Sequence, residues 1–256
     1  MNHLSKAERL EWSKNHQINS DYFDKIDAET KAYWLGFIYA DGNVTKNKDV
    51  FNLNLQMRDK DHLQKFANIF GKSLKERKGM CRGKSCPESV VRVCSRYFCA
   101  SLISKGIIPR KTYIDSDVFC HIPEHLMRHF IRGNMDGDGC ICRFMSCGKV
   151  RYHVDFLGRV KFINELRAIL ERQFLGEQFY TVPYQSICRL SVSYAPTIER
   201  LLTWLYSDAT VYLERKHERY VNFKREMCGE AGQTGKRKNR DDSAIVKKAW
   251  ATRKAA

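Results

Sequence analysis

Two aspartates, Asp41 and Asp138, stand in segments that repeat each other. Residues 34–43 read WLGFIYADGN and residues 130–139 read FIRGNMDGDG, and aligning Asp41 on Asp138 sets an offset of 97 residues. Each aspartate precedes a glycine (Gly42, Gly139) and follows small residues five and one positions earlier, Gly36 with Ala40 and Gly133 with Gly137. Small residues four apart let two helix backbones approach closely. Helices packed through those faces bring both carboxylates out at one end. That end is the negative pole of each helix dipole, where a carboxylate is disfavoured unless a cation compensates it. Asp41 and Asp138, with the last carbonyls of Ala40 and Gly137, make a hard-oxygen set suited to Mg²⁺, with Mn²⁺ as a substitute. Metals held there can activate water and stabilise the leaving oxygen of a phosphodiester. A lone Ala-Asp-Gly after an apolar helix is ordinarily a cap and a turn; recurrence at a domain-length interval makes the pair chemical. An EF-hand starting at Asp136 is excluded, because Cys140 and Ile141 stand where an oxygen ligand and a glycine are needed.

The same two copies supply the elements that must position these residues. In the first, Asp27 can cap a helix over about 28–40, and Tyr33, Trp34, Leu35, Phe37, Ile38 and Tyr39 make it apolar on nearly every side, so a buried central helix is expected. Phe51, Leu53, Leu55 and Met57 alternate with Asn52, Asn54, Gln56 and Arg58, the period of a half-buried strand with one polar face. Asp59 then caps a helix bearing Leu63, Phe66, Ala67 and Phe70 and stopped by Gly71. A basic loop is expected over 72–84, a strand around Val91 and Val93, and a short helix ending at Gly106. In the second copy a helix opens at Pro123 and runs to Gly137, followed by strands at 140–146 and 150–156. A helix from Ile163 to Phe174, a strand at 186–193, a helix opened by Pro196 and a last helix over 209–227 complete it. Each copy reads α, β-β, α, β-β, α. The fold class is α+β, with two pseudo-symmetric repeats at 25–115 and 120–227, a linker near 107–122, an N-terminal extension over 1–24 and a basic, flexible tail over 229–256.

On these residues the chain resembles the LAGLIDADG homing endonucleases in their single-chain, two-motif form, over roughly residues 25–225. Tyr39 departs from the family name at its first acidic position, and Arg132 and Asn134 make the second motif helix more polar than usual. The resemblance implies that the motif helices pack at the repeat interface and that the strands form a curved saddle on double-stranded DNA. It implies that Asp41 and Asp138, the last acids of the two motifs, hold the divalent metals. It implies a monomer that cuts both strands of a long, pseudo-palindromic site, leaving short 3′ overhangs, in the service of a mobile element such as an intron. It also places a lysine near the active site of each half. Lys111 and Lys216, 70 and 78 residues after their aspartates, are the matching candidates, with Arg110 and Arg215 beside them. Such a lysine can orient water or neutralise charge growing on the phosphate, and Gln56 is a further candidate for the water network. Two alternatives stay open on the same scaffold: a maturase that helps intron RNA fold, and a DNA-binding regulator without cleavage.

Composition agrees with a polyanionic partner. The 256 residues carry 45 Lys and Arg against 29 Asp and Glu, a formal charge of +16. Eight basic and three acidic residues after Gly229 account for +5 of this, so residues 1–228 keep +11. No apolar run approaches the ~20 residues of a membrane span. A polar, mixed-charge start and ten cysteines lead us to expect reduced thiols in an intracellular protein, in the cytoplasm or nucleoid of a bacterium or phage-infected cell, or in an organelle. No C-x₂-C pair occurs, so zinc is not expected. Base reading is assigned to the polar strand positions Asn52, Asn54, Gln56, Arg58, Arg92, Arg143, Arg151, His153 and Arg189, whose side chains can bond base edges in the major groove.

Overall fold

In the computed structural model the described residues are 19–228, apart from 48, 82–83, 111–112 and 185–186, together with Ser5, Ala7 and Glu8. The tail beyond 228 and most of the N-terminal extension lie outside them. The first motif forms helix α1 (Glu29–Asp41), which buries every residue from Ala32 to Ile38. Its expected cap is not made: Ala28 holds the N-cap position without a side-chain bond. Asp27 instead pairs one turn ahead with Lys31 at 2.9 Å. Strands β1 (Gly42–Val44) and β2 (Val50–Gln56) follow, then a single 3₁₀ turn, Met57–Asp59, and helix α2 (Lys60–Ile69). Asp59 does not cap α2 through its side chain either. It is buried and receives the Arg215 guanidinium of the second half at 3.0 and 3.1 Å.

The stretch expected as a basic loop is a strand. Strand β3 (Lys75–Cys81) pairs along its whole length with β4 (Lys84–Cys94), from Lys75 opposite Val90 to Cys81 opposite Lys84. It lies at the sheet edge, and Lys75, Glu76, Arg77 and Lys78 are all exposed, so no apolar alternation marks it in the sequence. Helix α3 (Arg96–Ser104) is capped by the Ser95 hydroxyl, which accepts from the Phe98 amide at 3.2 Å. It ends at Gly106 with φ of 86°, a left-handed turn that suits glycine.

The second copy starts later than Pro123. A 3₁₀ turn, Glu124–Leu126, leads into helix α4 (Met127–Gly137), because the residue after proline only begins to wind. Strands β5 (Cys140–Ser146) and β6 (Lys149–Gly158), helix α5 (Val160–Gln173), strands β7 (Tyr180–Tyr184) and β8 (Ile187–Val192), and helix α6 (Ala195–Tyr206) follow. Helix α7 (Glu214–Phe223) begins four residues after Thr210, later than the 209 expected, and runs into a π turn at Lys224–Cys228.

Both sheets have four antiparallel strands with the same order, β1-β2-β4-β3 and β5-β6-β8-β7. Alternate residues of β2 and β8 are buried beneath helices, and the others form an open face. The two motif helices join the halves into one continuous apolar core. Tyr39, at the departing motif position, reaches across this junction and stacks on Phe162 with ring centroids 4.7 Å apart. No helix among the described residues is long and apolar enough to cross a membrane.

Candidate active site and nucleic-acid face

The glycines of α1 and α4 are where the two helices touch. A methyl group at Gly36 would lie 2.0 Å from the Phe130 carbonyl oxygen, and one at Gly133 would lie 1.9 Å from that of Tyr33. Only hydrogen fits there, so the spacing of small residues is a contact seam. At Gly137 the same construction meets Ala40 Cβ at 2.4 Å and the Asp41 Oδ2 at 3.1 Å. The Asp41 carboxylate therefore hangs over Gly137, one residue before Asp138. Both acids are exposed at the shared carbonyl ends of the two helices. Gly42 serves this end through size and not through a left-handed turn. Its φ is −72°, and a methyl there would strike the Ile38 carbonyl at 2.7 Å.

Beneath this end lies a network anchored on Asp136, which is wholly buried. Its carboxylate accepts from the hydroxyls of Tyr33 (2.8 Å) and Tyr206 (2.6 Å) and from the Leu213 amide (2.8 Å). Burial raises its pKa, opposed by these three donors and by Lys216. The Tyr33 hydroxyl also meets His62 Nε2 at 2.9 Å, and burial holds His62 down at about 3, neutral at any ordinary pH. Arg132, the polar departure in α4, has no exposed surface. It donates to the carbonyls of Leu205 and Val211 and to Glu29 of α1, at 2.9, 3.0 and 2.6 Å.

Lys216 sits under the paired acids. It is buried and donates to the carbonyls of Met135 (2.9 Å) and Gly139. Burial lowers its pKa, while Asp136 and Asp41 favour its charged form. The negative pole of α4 thus meets a cation belonging to the chain itself. This modifies the expectation that only a metal compensates the paired acids. Lys111 lies outside the described residues; Arg110, beside it, has φ of 59°.

Around the acids the surface forms two clefts. A smaller one of about 210 Å³ is lined by Ala40, Asn134, Asp138 and Arg159. There the Asn134 Oδ1 is buried with no hydrogen-bond partner in the structure. A larger one of about 670 Å³ runs from Gly137 and Gly139 along α7 past Arg58, Arg215, Arg219 and Arg225. Of the arginines along this cleft, Arg58 and Arg215 are candidates from sequence, and Arg219 and Arg225 are not. Their signal was the spacing of Arg215, Arg219 and Asn222 with Arg225 and Glu226, which places them on one helix face.

The open faces collect most of the expected reading residues. In the first sheet the register puts Asn43, Asn52 and Arg92 in one row, Asn54, Val90 and Lys75 in the next, and Gln56, Glu88 and Arg77 in a third. Arg58 falls after β2, in the 3₁₀ turn, and faces the larger cleft. In the second sheet Arg151, His153 and Arg189 share the open face with Phe144, Asp155 and Val182. Arg143 does not. It pairs with buried Tyr152 on the helix side of β5 and binds Glu226 at 2.8 Å, so its assignment to the reading face is corrected. The register displaces it because β5 has only one buried residue, Ile141, to show its phase.

No family model and no curated protein matches the chain. Solved structures do. The LAGLIDADG meganuclease I-AabMI, bound to uncleaved DNA, aligns with TM-score 0.53 at 13% identity over 79% of this chain and 91% of that one. The LAGLIDADG homing endonuclease I-GzeII, in complex with its DNA target, gives 0.52 at 14% over 84% and 96%. This chain has the LAGLIDADG fold. Full-length DUF199/WhiA from Thermatoga maritima matches as well, with TM-score 0.51 at 14% identity over 92% of this chain and 72% of that one. Identities this low speak for the fold alone. Within the LAGLIDADG fold, α1 and α4 are the two motif helices, and Asp41 and Asp138 end them.

The donors at this end fit a hard divalent cation. Two carboxylates and the orphaned Asn134 oxygen are all oxygen ligands, at the pole where positive charge is favoured. No cluster of three or more His, Cys, Asp or Glu side chains suited to a metal occurs among the described residues. The remaining positions would fall to water and phosphate oxygens, as is usual for Mg²⁺.

Proposed function

We propose that this protein is a site-specific DNA endonuclease, cutting a long target with a divalent metal, Mg²⁺ for preference, held by Asp41 and Asp138 with the Ala40 and Gly137 carbonyls. One observation carries the reading: two exposed carboxylates converge at the carbonyl ends of two glycine-packed helices, between sheets whose open faces are rich in side chains that bond base edges. A metal bound there would polarise the phosphodiester and acidify the attacking water. The chain's own residues do the rest. The glycine seam fixes the spacing of the two acids. Lys216 holds the last turn of α4 through two carbonyls and limits repulsion between the acids and the backbone. Arg58, Arg215, Arg219 and Arg225 draw phosphates into the cleft beside them.

DNA binding without cleavage is the second reading, and Lys216 favours it, because a built-in cation lets the acids sit near phosphates without a metal. One experiment separates the two. Duplexes bound from a random library are incubated with wild type, Asp41→Asn or Asp138→Asn, with and without Mg²⁺. The endonuclease reading expects wild type to cut only with metal and the variants to bind without cutting. Tight binding that never leads to a cut transfers the chain to the second reading. Stimulated splicing of an intron RNA would instead make it a maturase.

A further inference from the structure

The two open faces differ in kind, and the difference specifies what each can recognise. The first sheet offers Asn43, Asn52, Asn54, Gln56 and Arg92, and among the described residues none of its large apolar side chains is exposed. Asn52 and Asn54 are half-buried on this face and Gln56 beyond them is exposed, so the row offers amide groups suited to base edges. The second sheet is otherwise. Its exposed side chains include Phe144 (42%), Val182 (42%) and Tyr180 (65%), all on the open face by register.

Its basic residues are mostly engaged. His153 and Arg189 lie 3.5 and 3.8 Å from the Asp155 carboxylate, which also accepts from the Ser191 hydroxyl. Arg143 faces the helices, so Arg151 alone of the expected set keeps an exposed position there. Phe144 rests against the His153 ring at 5.4 Å, which orders it on the surface. In the major groove the apolar feature is the thymine C5-methyl group, and aromatic and aliphatic side chains are its usual partners.

We infer that the second sheet reads its half of the duplex mainly through thymine methyls, at Phe144 and Val182, while the first sheet reads by hydrogen bonds. This rests on the DNA-binding reading above. The target is then asymmetric in chemistry, with methyl recognition confined to one half.

The test uses the full chain and sites selected from a random duplex library. Asn54→Ala and Phe144→Ala assign the halves, each by the consensus positions it relaxes. Thymidine is then replaced by deoxyuridine in one half at a time. Uracil should weaken binding about fourfold per contacted methyl, equivalent to about 0.8 kcal/mol, in the Phe144 half. It should change the other half less than twofold. Phe144→Ala and Val182→Ala should each erase the uracil penalty of the methyl that side chain contacts, and together the whole of it; both side chains are exposed, so truncation leaves the core intact. Equal penalties in the two halves, or a penalty that survives both truncations, overturns the inference while leaving DNA binding standing. A library that yields no bound duplex overturns DNA binding and this inference with it.

Discussion

Gly133→Ala sets two effects against each other, and the structure decides the sign. Replacing a helix glycine by alanine ordinarily stabilises by about 1 kcal/mol through propensity. Here the new methyl would lie 1.9 Å from the Tyr33 carbonyl oxygen and 2.8 Å from the Phe37 amide nitrogen. Both obstacles are backbone, so no side chain can rotate away. Restoring ordinary contact at 3.4 Å requires α1 and α4 to part by about 1.5 Å, and a gap of that order forfeits a quarter to half or more of each dispersion contact along the seam. Overpacking costs about 1–3 kcal/mol where side chains can adjust. With none to adjust, the upper end applies, and the net loss should reach at least ~2 kcal/mol. For a chain of this size that is a fall in Tm of roughly 4–8 °C. Gly36→Ala, which meets the Phe130 carbonyl at 2.0 Å, should cost about the same alone. Combined they should cost less than the sum, because one separation relieves both clashes. Gly148→Ala, with nothing within 4 Å and φ of 69°, is the control and should lose only about 1 kcal/mol. Urea midpoints compare all four variants with wild type. A Gly133→Ala variant as stable as wild type, or more so, would refute the close seam, and with it the placement of Asp41 beside Asp138.

Three further outcomes are expected. Asp136→Asn leaves one oxygen for three donors and removes the counter-charge of Lys216, so chemical unfolding should show a loss of about 2–4 kcal/mol. Stability should fall as pH drops from about 6.5. His62 is held near 3 and His129 near 4 when folded, so below 6.5 the unfolded chain binds the extra protons; the share owed to His62 nears ~3 kcal/mol by pH 4, and a stable His62→Gln variant should lose that share while keeping the one owed to His129. Arg92→Gln should relax base preference at one position by about 1–3 kcal/mol, whereas Arg143→Gln should leave the selected sequence unchanged and cost under ~1 kcal/mol of stability.

Much of this architecture is legible in the sequence because apolar periodicity reports burial. Helix α1 and strand β2 bury the residues their patterns mark, and the repeated small residues mark the seam. What was illegible had no burial to report. Strand β3 is held by backbone pairing at an edge, and its charged side chains look like a loop. The face of Arg143 depends on the phase of a strand with a single buried residue. Asp27 and Asp59 stand at plausible cap positions, but Lys31 and Arg215 compete for their carboxylates. The position of Arg215 is set by a contact across 156 residues, beyond the reach of any local pattern. The Asp136 network combines both limits. Its aspartate lies within the motif, but its tyrosines come from α1 and α6.

That network also bears on how the two halves came to need each other. Asp136 and Tyr39 occupy equivalent places in the two copies, as do Phe130 and Tyr33. A second half paired with its own twin would bury two aspartates and offer each a phenylalanine where Tyr33 now donates its hydroxyl. A first half paired with its twin would set Tyr39 where Asp136 now stands, and Tyr33 would lose its carboxylate acceptor. Each half is therefore keyed to the other by a lock with one proton donor on one side and one acceptor on the other. Self-pairing of either half is thereby disfavoured at this interface.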